Sequence, residues 1–206
     1  MLTTQKRRER YRSEFRAEIL AAARELIRQE GYQGLTLRKL GLRMECSPMA
    51  LYSYFADKQA LLTALALEGF ETLAKKLEGT GRREPLPTLR RMLLDYVNYA
   101  EQNPTEYRIL FLSAEPHAEL TKTRNNIGDV NPAFGSLLNC VRTCIEAGVL
   151  NGDPFAITTV LWTGAHGAAS LLITMQNFPF GSRKRYAEEV VATILSGAQT
   201  RAIERI

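Results

Sequence analysis

The sequence predicts an all-α fold, and two features of the chain lead to this class. Apolar residues recur at intervals of three and four through most of the 206 residues, which is the spacing of one buried helix face. Two helix starts carry the same signature, a capping side chain followed by proline, at Ser47-Pro48 and Asp153-Pro154. We therefore expect an N-terminal three-helix unit in residues 1–60 and a C-terminal helical bundle in residues 61–206.

The composition is that of a soluble globular protein, with 45% hydrophobic and 24% charged residues. Positive charge, however, is unevenly distributed along the chain. Residues 1–58 contain 12 Lys and Arg against 7 Asp and Glu, whereas residues 59–206 contain 15 of each. The whole excess of +5 belongs to the first segment, which indicates a negatively charged partner for that part of the chain.

Cysteine content and the absence of long apolar runs predict a cytoplasmic protein. Cys46, Cys140 and Cys144 cannot form an even disulfide framework, so reduced thiols are the simpler interpretation. The first twelve residues contain no apolar segment of the kind found in secretory signals. No run approaches the roughly 18 apolar residues of a membrane span, so we expect no membrane partner.

The stretch from Thr36 to Lys58 predicts two short helices joined by a tight turn. The hydroxyl of Thr36 is a suitable cap for the first helix, and Ser47-Pro48 opens the second. Leu51 and Phe55 lie four residues apart, so they can pin the second helix to a core and leave its other faces outward. A short helix presented in this way is typical of a helix-turn-helix, whose second helix enters the major groove of DNA.

A preceding helix completes the three-helix unit. Its apolar stripe begins near Ser13, and Gly31 is expected to end it as a glycine just past a helix C-terminus. Residues 1–12 before it are polar and basic. They are predicted to be a solvated, frayed tail or, as the alternative, an arm that touches phosphates or a narrow minor groove of DNA.

Residues 18–62 resemble the N-terminal domain of the TetR family of transcriptional repressors. Three elements carry the resemblance in register: the AAARELI helix, the Gly-Tyr-x-Gly-x-Thr link, and the pattern Ser-Pro-x-x-Leu-Tyr-x-Tyr-Phe-x-x-Lys. The chain departs from the family pattern at two positions. Glu45 stands where glycine is usual in the turn, so a residue with a side chain must take or avoid a left-handed conformation there. Gly41 stands where alanine is usual, which we expect to loosen the first helix of the motif slightly.

The resemblance also implies which side chains contact DNA. Thr36 and Lys58 would offer their donors to phosphates near two helix N-termini, where the helix dipole also favours anions. Tyr52 and Tyr54 would donate their hydroxyls to the phosphate backbone and set the register of the protein on the duplex. The complete set implied for DNA contact is Thr36, Arg38, Lys39, Ser47, Pro48, Met49, Ala50, Tyr52, Ser53, Tyr54 and Lys58.

Base recognition is expected from the second helix of the motif. Met49 and Ala50 can make only apolar contacts, for instance to a thymine methyl group, while Ser53 can donate or accept a hydrogen bond. Arg38, on the first helix, is basic enough to reach phosphate and is also a candidate for a base contact.

The rest of the chain is predicted to be helical apart from two segments. Residues 79–85 combine glycine, charge and proline, so we place a linker there. Residues 113–131 lack a helical pattern and are expected to form a loop with one helical turn. The predicted helices run from Asp57 to about Glu78, over 86–102, over 104–112, over 132–147, from Pro154 to about Met175, and from about Ser182 to Ile203.

The helix that begins at Pro154 has closely spaced small residues in its middle. Each glycine inside a helix costs roughly 0.5–1 kcal/mol relative to alanine, which indicates close approach of another helix. The segment resembles a TetR-type C-terminal body with a Trp…His-Gly signature, here Trp162, His166 and Gly167. In that family the last two helices pair with those of a second copy, which implies a homodimer that reads palindromic double-stranded DNA. The implied dimer interface is Gly164, Gly167, Ala168, Leu171, Met175, Tyr186, Val190 and Ile194.

The function that the resemblance implies is a ligand-responsive transcriptional regulator, a repressor that a small-molecule effector releases from its operator. The effector would favour a conformation whose DNA-binding units are wrongly spaced, so effector and DNA would weaken each other's binding. The neutral, aromatic body favours an apolar or aromatic effector over a highly charged one. Bulky or polar residues on body helices are the candidates for the effector site: Tyr96, Tyr99, Phe111, Phe134, Trp162 and His166.

Two other functions remain as alternatives. One is a DNA-binding architectural protein that has no ligand. The other is a metal-binding or enzymatic protein that uses Cys140 and Cys144, four residues apart, together with His166 or His117. Two thiols in an apolar stripe are more often small core residues, and the sequence has no paired-carboxylate, phosphate-loop or nucleophile motif. We therefore expect no catalytic residue, no metal and no cofactor.

Overall fold

The computed structural model describes residues 4–78, 84–112, 127–200 and 202–203. Within these ranges the chain is helical and has no strand beyond an isolated bridge between Gly152 and Ile203, so the prediction of an all-α fold is confirmed. The helices are α1 (Thr4–Gly34), α2 (Leu37–Arg43), α3 (Pro48–Tyr52), α4 (Lys58–Leu77), α5 (Pro85–Gln102), α6 (Pro104–Tyr107, followed by a π-helical turn at Arg108–Leu112), α7 (Ile127–Val130), α8 (Pro132–Glu146), α9 (Pro154–Thr174) and α10 (Arg183–Thr200).

The chain divides into two compact units. The N-terminal unit comprises residues 1–68 with 108–117, and the C-terminal unit comprises residues 69–107 with 118–206. The first boundary falls inside α4, beyond the division after residue 60 that the sequence suggested. A boundary inside a continuous helix has no linker composition, because the apolar spacing of the helix runs through it.

Helix α1 is longer than predicted. It begins at Thr4 rather than near Ser13, so residues 4–12 are exposed as predicted, but the prediction that they are frayed is wrong because they are helical. Lys, Arg, Glu and Gln are good helix formers, and Arg10 forms an ion pair with Glu14 one turn later, at 3.3 Å. Gly31 has a positive φ of 73° at the predicted end of the helix, and a last helical turn follows it. The expected glycine break is present, but the chain resumes helical geometry after it.

The core of the N-terminal unit forms as the apolar spacing predicts. Ile19, Ala23 and Ile27 on α1 are buried together with leucines of α2 and α4. Leu51 and Phe55 are buried in the same core, which confirms their predicted anchoring role. Helix α4 is capped by Asp57, whose Oδ1 accepts a hydrogen bond from the backbone N–H of Ala60 at 2.7 Å.

The turn between α2 and α3 contains both departures from the family pattern. Glu45 takes the left-handed conformation, with a φ of 52°, at the position where glycine is usual. Gly41 is buried, and a Cβ atom built on it would lie 2.9 Å from the carbonyl oxygen of Cys46. The expectation that Gly41 merely loosens α2 is therefore incomplete, because its missing side chain also lets the turn fold back closely onto α2.

Helix α9 is the centre of the C-terminal unit, where it packs against α5, α8 and α10. Asp153 caps it by accepting a hydrogen bond from the backbone N–H of Ala156 at 2.8 Å. Gly164 faces α10, and a Cβ atom built on it would lie 2.8 Å from Cγ2 of Ile194. The close approach that this glycine predicted therefore involves the last helix of its own chain.

Several predicted segments fall partly or wholly outside the described residues. Most of the predicted linker lies there, as does most of the predicted loop, including His117. The described end of that loop, Ile127–Val130, is helical, which agrees with the single helical turn expected in it. Residues 151–153 lie beside the C-terminal segment, where Asp153 N donates to the carbonyl of Ile203 at 2.7 Å.

One helix among the described residues is long and apolar enough to cross a membrane. It is Pro154–Thr174, with a mean hydropathy of 1.3 over its most apolar stretch. Half of that stretch is buried inside the chain, and the core helix of a soluble protein has the same length and composition. The helix is accordingly weak evidence for a membrane span.

Candidate nucleic-acid interface and aromatic cluster

Helix α3 is only five residues long, so it depends on its cap and on one buried side chain. Ser47 Oγ accepts a hydrogen bond from the backbone N–H of Ala50 at 3.2 Å, and Pro48 occupies the first helical position. Leu51 is fully buried and ties the helix to the core of the N-terminal unit. Both capping residues are exposed, so the cap itself lies at the surface.

The residues on the outward side of α3 are exposed and do not belong to the core of the N-terminal unit. Met49 is 76% exposed and Tyr52 is 51% exposed, both unusually high for large apolar or aromatic side chains. Ser53 follows the helix, and its hydroxyl donates to the carbonyl of Ala50 at 2.6 Å. Because this bond uses the hydroxyl proton, Ser53 presents mainly an acceptor oxygen to the outside.

Helix α2 contributes a second exposed face. Thr36 Oγ1 accepts the backbone N–H of Lys39 at 3.1 Å, which leaves its hydroxyl proton to donate outward. Arg38 is exposed. The Lys39 ammonium lies 2.5 Å from Oε2 of Glu30 on α1, although both side chains remain about half exposed. Of the two basic residues on α2 that are predicted to contact DNA, Arg38 is therefore more accessible to a phosphate than Lys39.

Two predicted contact residues are partly engaged within the chain. Tyr54 is half-buried, with its ring edge-on to Phe15 at 5.3 Å between centroids. Lys58 donates from Nζ to the carbonyl of Tyr32 at 3.2 Å and lies 4.4 Å from the centroid of the Tyr32 ring. An ammonium has three protons, so Lys58 retains donors beyond this bond.

Sequence reasoning missed Leu42 and Arg16 beside this surface, and it considered Arg12 only as part of the basic segment 1–12. Leu42 on α2 is 74% exposed, which its apolar character gave no reason to expect. The guanidinium of Arg12 lies 5.7 Å from the Tyr54 ring centroid, and that of Arg16 lies 5.3 Å from the ring of Phe55. The spacing of four between the two arginines was the available signal, since it places them on one helix face.

A cluster of buried and half-buried aromatic and polar side chains lies in the C-terminal unit. Trp162 Nε1 donates to Tyr96 Oη at 3.2 Å, and Tyr96 Oη lies 3.4 Å from Tyr107 Oη. Tyr107 Oη in turn lies 2.6 Å from Nδ1 of His166, and Tyr96 Oη lies 2.9 Å from the same nitrogen. These distances fit a chain of donors in which the indole donates to the first hydroxyl and a hydroxyl donates to the imidazole.

The electrostatics of the cluster agree with this direction of donation. Burial raises the pKa of Tyr96 and of Tyr107, so both hydroxyls keep their protons. Burial lowers the pKa of His166, so the imidazole is neutral near pH 7. Since Nδ1 is the acceptor in the chain, the network assigns the imidazole proton to Nε2.

The six predicted effector-site residues are divided by the structure. Tyr96, Phe134, Trp162 and His166 lie in one cluster, where the Phe134 and Trp162 rings meet edge-on at 6.0 Å. Tyr99 is buried on α5, one turn after Tyr96. Phe111 belongs to the N-terminal unit. The prediction omitted Tyr107 and Phe155.

A cavity of about 450 Å³ lies beside this cluster within the C-terminal unit. Phe155 lines it and also contacts Phe134, with 5.5 Å between the ring centroids. Its polar lining comes from Asp129, Asn139 and Arg142. Phe155 therefore connects the cavity to the cluster through its contact with Phe134.

The residues predicted for a dimer interface fall into two groups. Leu171 and Met175 are 40% and 45% exposed, and a Cβ atom built on Gly167 would meet nothing within 4 Å. Ala168 is buried within one chain, so it has little surface to offer a second copy, whereas Gly164 is half-buried and packs on Ile194 of the same chain, and its role in an interface stays a prediction. Tyr186, Val190 and Ile194 on α10 are half-buried within one chain.

The two neighbouring cysteines of α8 differ in environment. Cys144 is fully buried and Cys140 is half-buried, which agrees with small core residues. A hydrogen bond from Cys144 lowers the pKa of the Cys140 thiol, and the same bond, together with burial, raises the pKa of Cys144. Among the described residues no group of three His, Cys, Asp or Glu side chains could hold a metal ion.

Similar proteins were found by sequence. The HTH-type transcriptional repressor AcnR of Corynebacterium efficiens is 36% identical over 84 residues, which cover 41% of this chain and 43% of that protein. The tetracycline repressor protein class G of Vibrio anguillarum is 31% identical over 114 residues, which cover 53% of this chain and 49% of that protein. The matches thus span about half or less of the length of these relatives.

Solved structures share the fold over most of the chain. A protein of unknown function from Rhodococcus sp. RHA1 has a TM-score of 0.72 at 24% identity and covers 89% of this chain and 95% of its own. A TetR-family transcriptional regulator from Pectobacterium atrosepticum has a TM-score of 0.66 at 22% identity and covers 92% and 96%.

Two family models match the chain in succession. Residues 19–65 match the bacterial regulatory proteins of the tetR family, and residues 89–194 match the tetracyclin repressor-like C-terminal domain. The first match contains α2 and α3, and the second contains the whole aromatic cluster. The chain belongs to the TetR family of bacterial regulatory proteins.

Proposed function

We propose that this protein is a DNA-binding transcriptional regulator that acts as a homodimer on a palindromic operator. The exposed outer side of α3 carries the proposal: Met49 and Tyr52 are presented outward by a helix that Leu51 alone anchors. A short helix of this kind fits the major groove, and the positive charge of residues 1–58 favours a polyanion. The DNA contacts proposed are those of α2, α3 and their flanks: Thr36, Arg38, Lys39, Ser47, Pro48, Met49, Ala50, Tyr52, Ser53, Tyr54 and Lys58.

The proposed homodimer buries the exposed strip of α9 against a second copy. Leu171 and Met175 supply apolar side chains, and Gly167 leaves room for close approach of a partner helix. A two-fold dimer would present two α3 helices to half-sites about one turn apart, roughly 34–36 Å along the duplex. Two copies also supply the contact area that one five-residue helix lacks.

The proposed regulation is repression relieved by a small molecule. Two relatives carry the name repressor, and this chain is similar to each over part of its length. An effector that binds better to the conformation with misplaced DNA-binding units would weaken operator binding by linkage. A coupling free energy of about 1–3 kcal/mol would reduce operator affinity roughly 5–150-fold.

The proposed effector site is the aromatic cluster with the cavity beside it. The ring of Phe155, which lines the cavity and contacts Phe134, suits an apolar or aromatic molecule, and the donor chain ending at His166 supplies polar groups that can orient it. Tyr96 and Trp162 complete the cluster, while Tyr99 and Phe111 stay candidates from the sequence alone. The proposed role is regulatory rather than enzymatic, without a cofactor, and located in the cytoplasm.

Selection of bound fragments from genomic DNA by the purified full chain tests this function. We expect recovered fragments to share an inverted repeat, and binding to weaken steeply as salt concentration rises. Light scattering after size exclusion should give the mass of two chains. A protein that stays monomeric and does not bind duplex DNA at low salt would overturn the proposal. If the chain binds an operator as a dimer, a thermal-shift screen would identify the effector, since a molecule that binds only the folded state raises the melting temperature of the protein.

A further inference from the structure

The first turns of α1 form a basic helix of their own. Residues 4–12, here called the basic extension, contain five Lys and Arg and a single Glu. The extension is helical throughout, and every residue in it is exposed. A helix holds these charges at fixed positions, whereas a disordered tail would not.

Few of the Lys and Arg side chains of the basic extension form ion pairs with other residues that the structure describes. Arg10 pairs with Glu14, and Glu9 accepts a hydrogen bond from Gln5 at 3.2 Å. Lys6, Arg7 and Arg8 form no ion pair with any residue that the structure describes. The extension also contributes nothing to the buried core of the N-terminal unit, which begins beyond it. Ion pairing within the described chain therefore does not account for three of the five cations of the extension.

A row of arginines joins the basic extension to the candidate DNA surface. Arg8, Arg12 and Arg16 are spaced four residues apart, so they lie on one face of α1. The guanidinium of Arg12 lies over the ring of Tyr54, and that of Arg16 lies over the ring of Phe55. Tyr54 and Phe55 lie two and three residues after the end of α3, so the arginine row begins beside the C-terminal end of α3 and continues along α1 into the basic extension.

We propose that the basic extension binds backbone phosphates of double-stranded DNA outside the bases that α3 contacts. This inference rests on the proposed DNA-binding function. Arg8 lies one helical turn, about 5.4 Å, beyond Arg12, and base pairs rise by about 3.4 Å, so each turn reaches roughly one to two base pairs further. Phosphate contacts add affinity but carry no sequence information, so the extension lengthens the binding site without changing the preferred bases.

Salt dependence of binding tests the proposal in the full chain. The probe is the fragment recovered by genomic selection, prepared with and without the base pairs that flank its inverted repeat. Each phosphate contact contributes about 0.9 to the slope of log affinity against log salt concentration. Arg8→Gln with Arg12→Gln should reduce the magnitude of that slope by about 1.8 for each basic extension that binds, and should abolish the gain in affinity from the flanking base pairs.

Matched variants separate this effect from a general loss of charge or structure. Lys184→Gln with Arg185→Gln removes the same charge from exposed positions on α10 and should leave the slope unchanged. Arg8→Gln alone should give half of the change without disturbing Tyr54, and Arg12→Lys should retain the slope. A slope in Arg8→Gln equal to that of the unaltered chain overturns the inference. If the unaltered chain recovers no fragment and binds no duplex, the proposed function fails instead.

Discussion

Two tyrosines of the DNA-binding motif show how packing decides the role of a residue. Tyr52 is the last residue of α3 and is about half exposed, whereas Tyr54 lies two positions later with its ring against Phe15. The chain leaves the helix between them, so the second ring turns back toward α1. Tyr52 is consequently the better candidate for a direct phosphate contact, although both follow the same family pattern.

Substitutions at Tyr52 and Ser53 should separate backbone contacts from base contacts. Tyr52→Phe removes a hydroxyl worth about 0.5–1.5 kcal/mol, so it should weaken binding to all sequences by roughly two- to tenfold. Ser53→Ala should instead change the preference at particular base pairs, since Ser53 presents an acceptor to the groove. Anisotropy titrations against single-base variants of the operator would measure both. A uniform loss in both proteins would show that the reading positions are wrongly assigned.

His166 illustrates a half-buried titratable group held neutral by its surroundings. Tyr107 Oη lies 2.6 Å from Nδ1, and burial lowers the pKa of the imidazole. A proton on Nδ1 would remove the acceptor that ends the donor chain. The folded state therefore resists protonation of this side chain, and the unfolded chain does not.

This difference makes stability depend on pH. The imidazole takes up its proton near pH 6.5 in the unfolded chain and at lower pH in the folded one, so the unfolded state binds more protons below about pH 6.5. The contribution of His166 to the free energy of unfolding should thus be constant above neutral pH. It should fall as the solution becomes acidic. His166→Asn keeps an acceptor but cannot titrate, so its fall should be shallower, by at most about 1.4 kcal/mol per pH unit.

Urea denaturation between neutral and mildly acidic pH would measure the difference. Both proteins retain the chain's other histidine, so its titration cancels in the comparison. Identical pH dependence in the two proteins would contradict the assignment of a lowered pKa to His166.

At the level of elements, the turn between α2 and α3 is the most constrained part of the motif. Cys46 N donates to the carbonyl of Gly41 at 2.9 Å, while Glu45 beside it has a φ of 52°. The turn thus requires a small residue on α2 and a left-handed residue one step before the hydrogen bond. These two constraints hold α3 at its angle to α2.

Gly41→Ala should destabilise the protein even though alanine favours helix formation. Its Cβ would lie 2.9 Å from the carbonyl oxygen of Cys46, so the turn must shift, at a cost of about 1–3 kcal/mol in the free energy of unfolding. DNA affinity should fall as well, because α3 moves with the turn. Gly197→Ala on α10 is the control, since nothing lies within 4 Å of its Cβ and alanine should gain about 0.5–1 kcal/mol. Urea titration of both variants would decide, and equal stabilities would refute the close contact.

The whole molecule consists of two units, and each combines a packed interior with an exposed surface suited to binding. The N-terminal unit combines a buried leucine core with exposed basic and aromatic side chains, and the C-terminal unit combines an aromatic cluster with an exposed strip on α9. Leu171 and Met175 in that strip are large apolar residues left partly in water. Exposed apolar residues at one helix face are typical of a protein–protein interface.

A charge placed in this strip should dissociate the proposed dimer. Leu171→Glu would bury two unpaired carboxylates at a two-fold interface, so the dissociation constant should rise by at least about tenfold. Leu67→Glu on α4 is the matched control, because Leu67 is 36% exposed against 40% for Leu171. Sedimentation equilibrium would measure both variants, with circular dichroism to verify that the helices persist. A Leu171→Glu protein that remains fully dimeric would place the interface elsewhere.

The sequence alone determined much of this protein because its signals are local. Caps such as Ser47 and Asp153, prolines at helix starts and the three-and-four spacing of leucines act within a few residues, so they specify helices before any tertiary contact forms. The same patterns predicted that Leu51 and Phe55 would be buried. The sequence pattern of the family is also local, and it located the helix-turn-helix that is proposed to bind DNA.

Only the tertiary structure decided what depends on residues far apart in the chain. The partners of His166 lie 59 and 70 residues away, so its neutral state and the role of Tyr107 had no signal in sequence spacing. The same holds for Gly164, whose neighbour Ile194 lies on a different helix. The helical state of residues 4–12 was missed for the opposite reason, since a polar helix has no apolar stripe to reveal it. Burial, which sets pKa values and exposure, is a property of the packed chain and not of its local sequence.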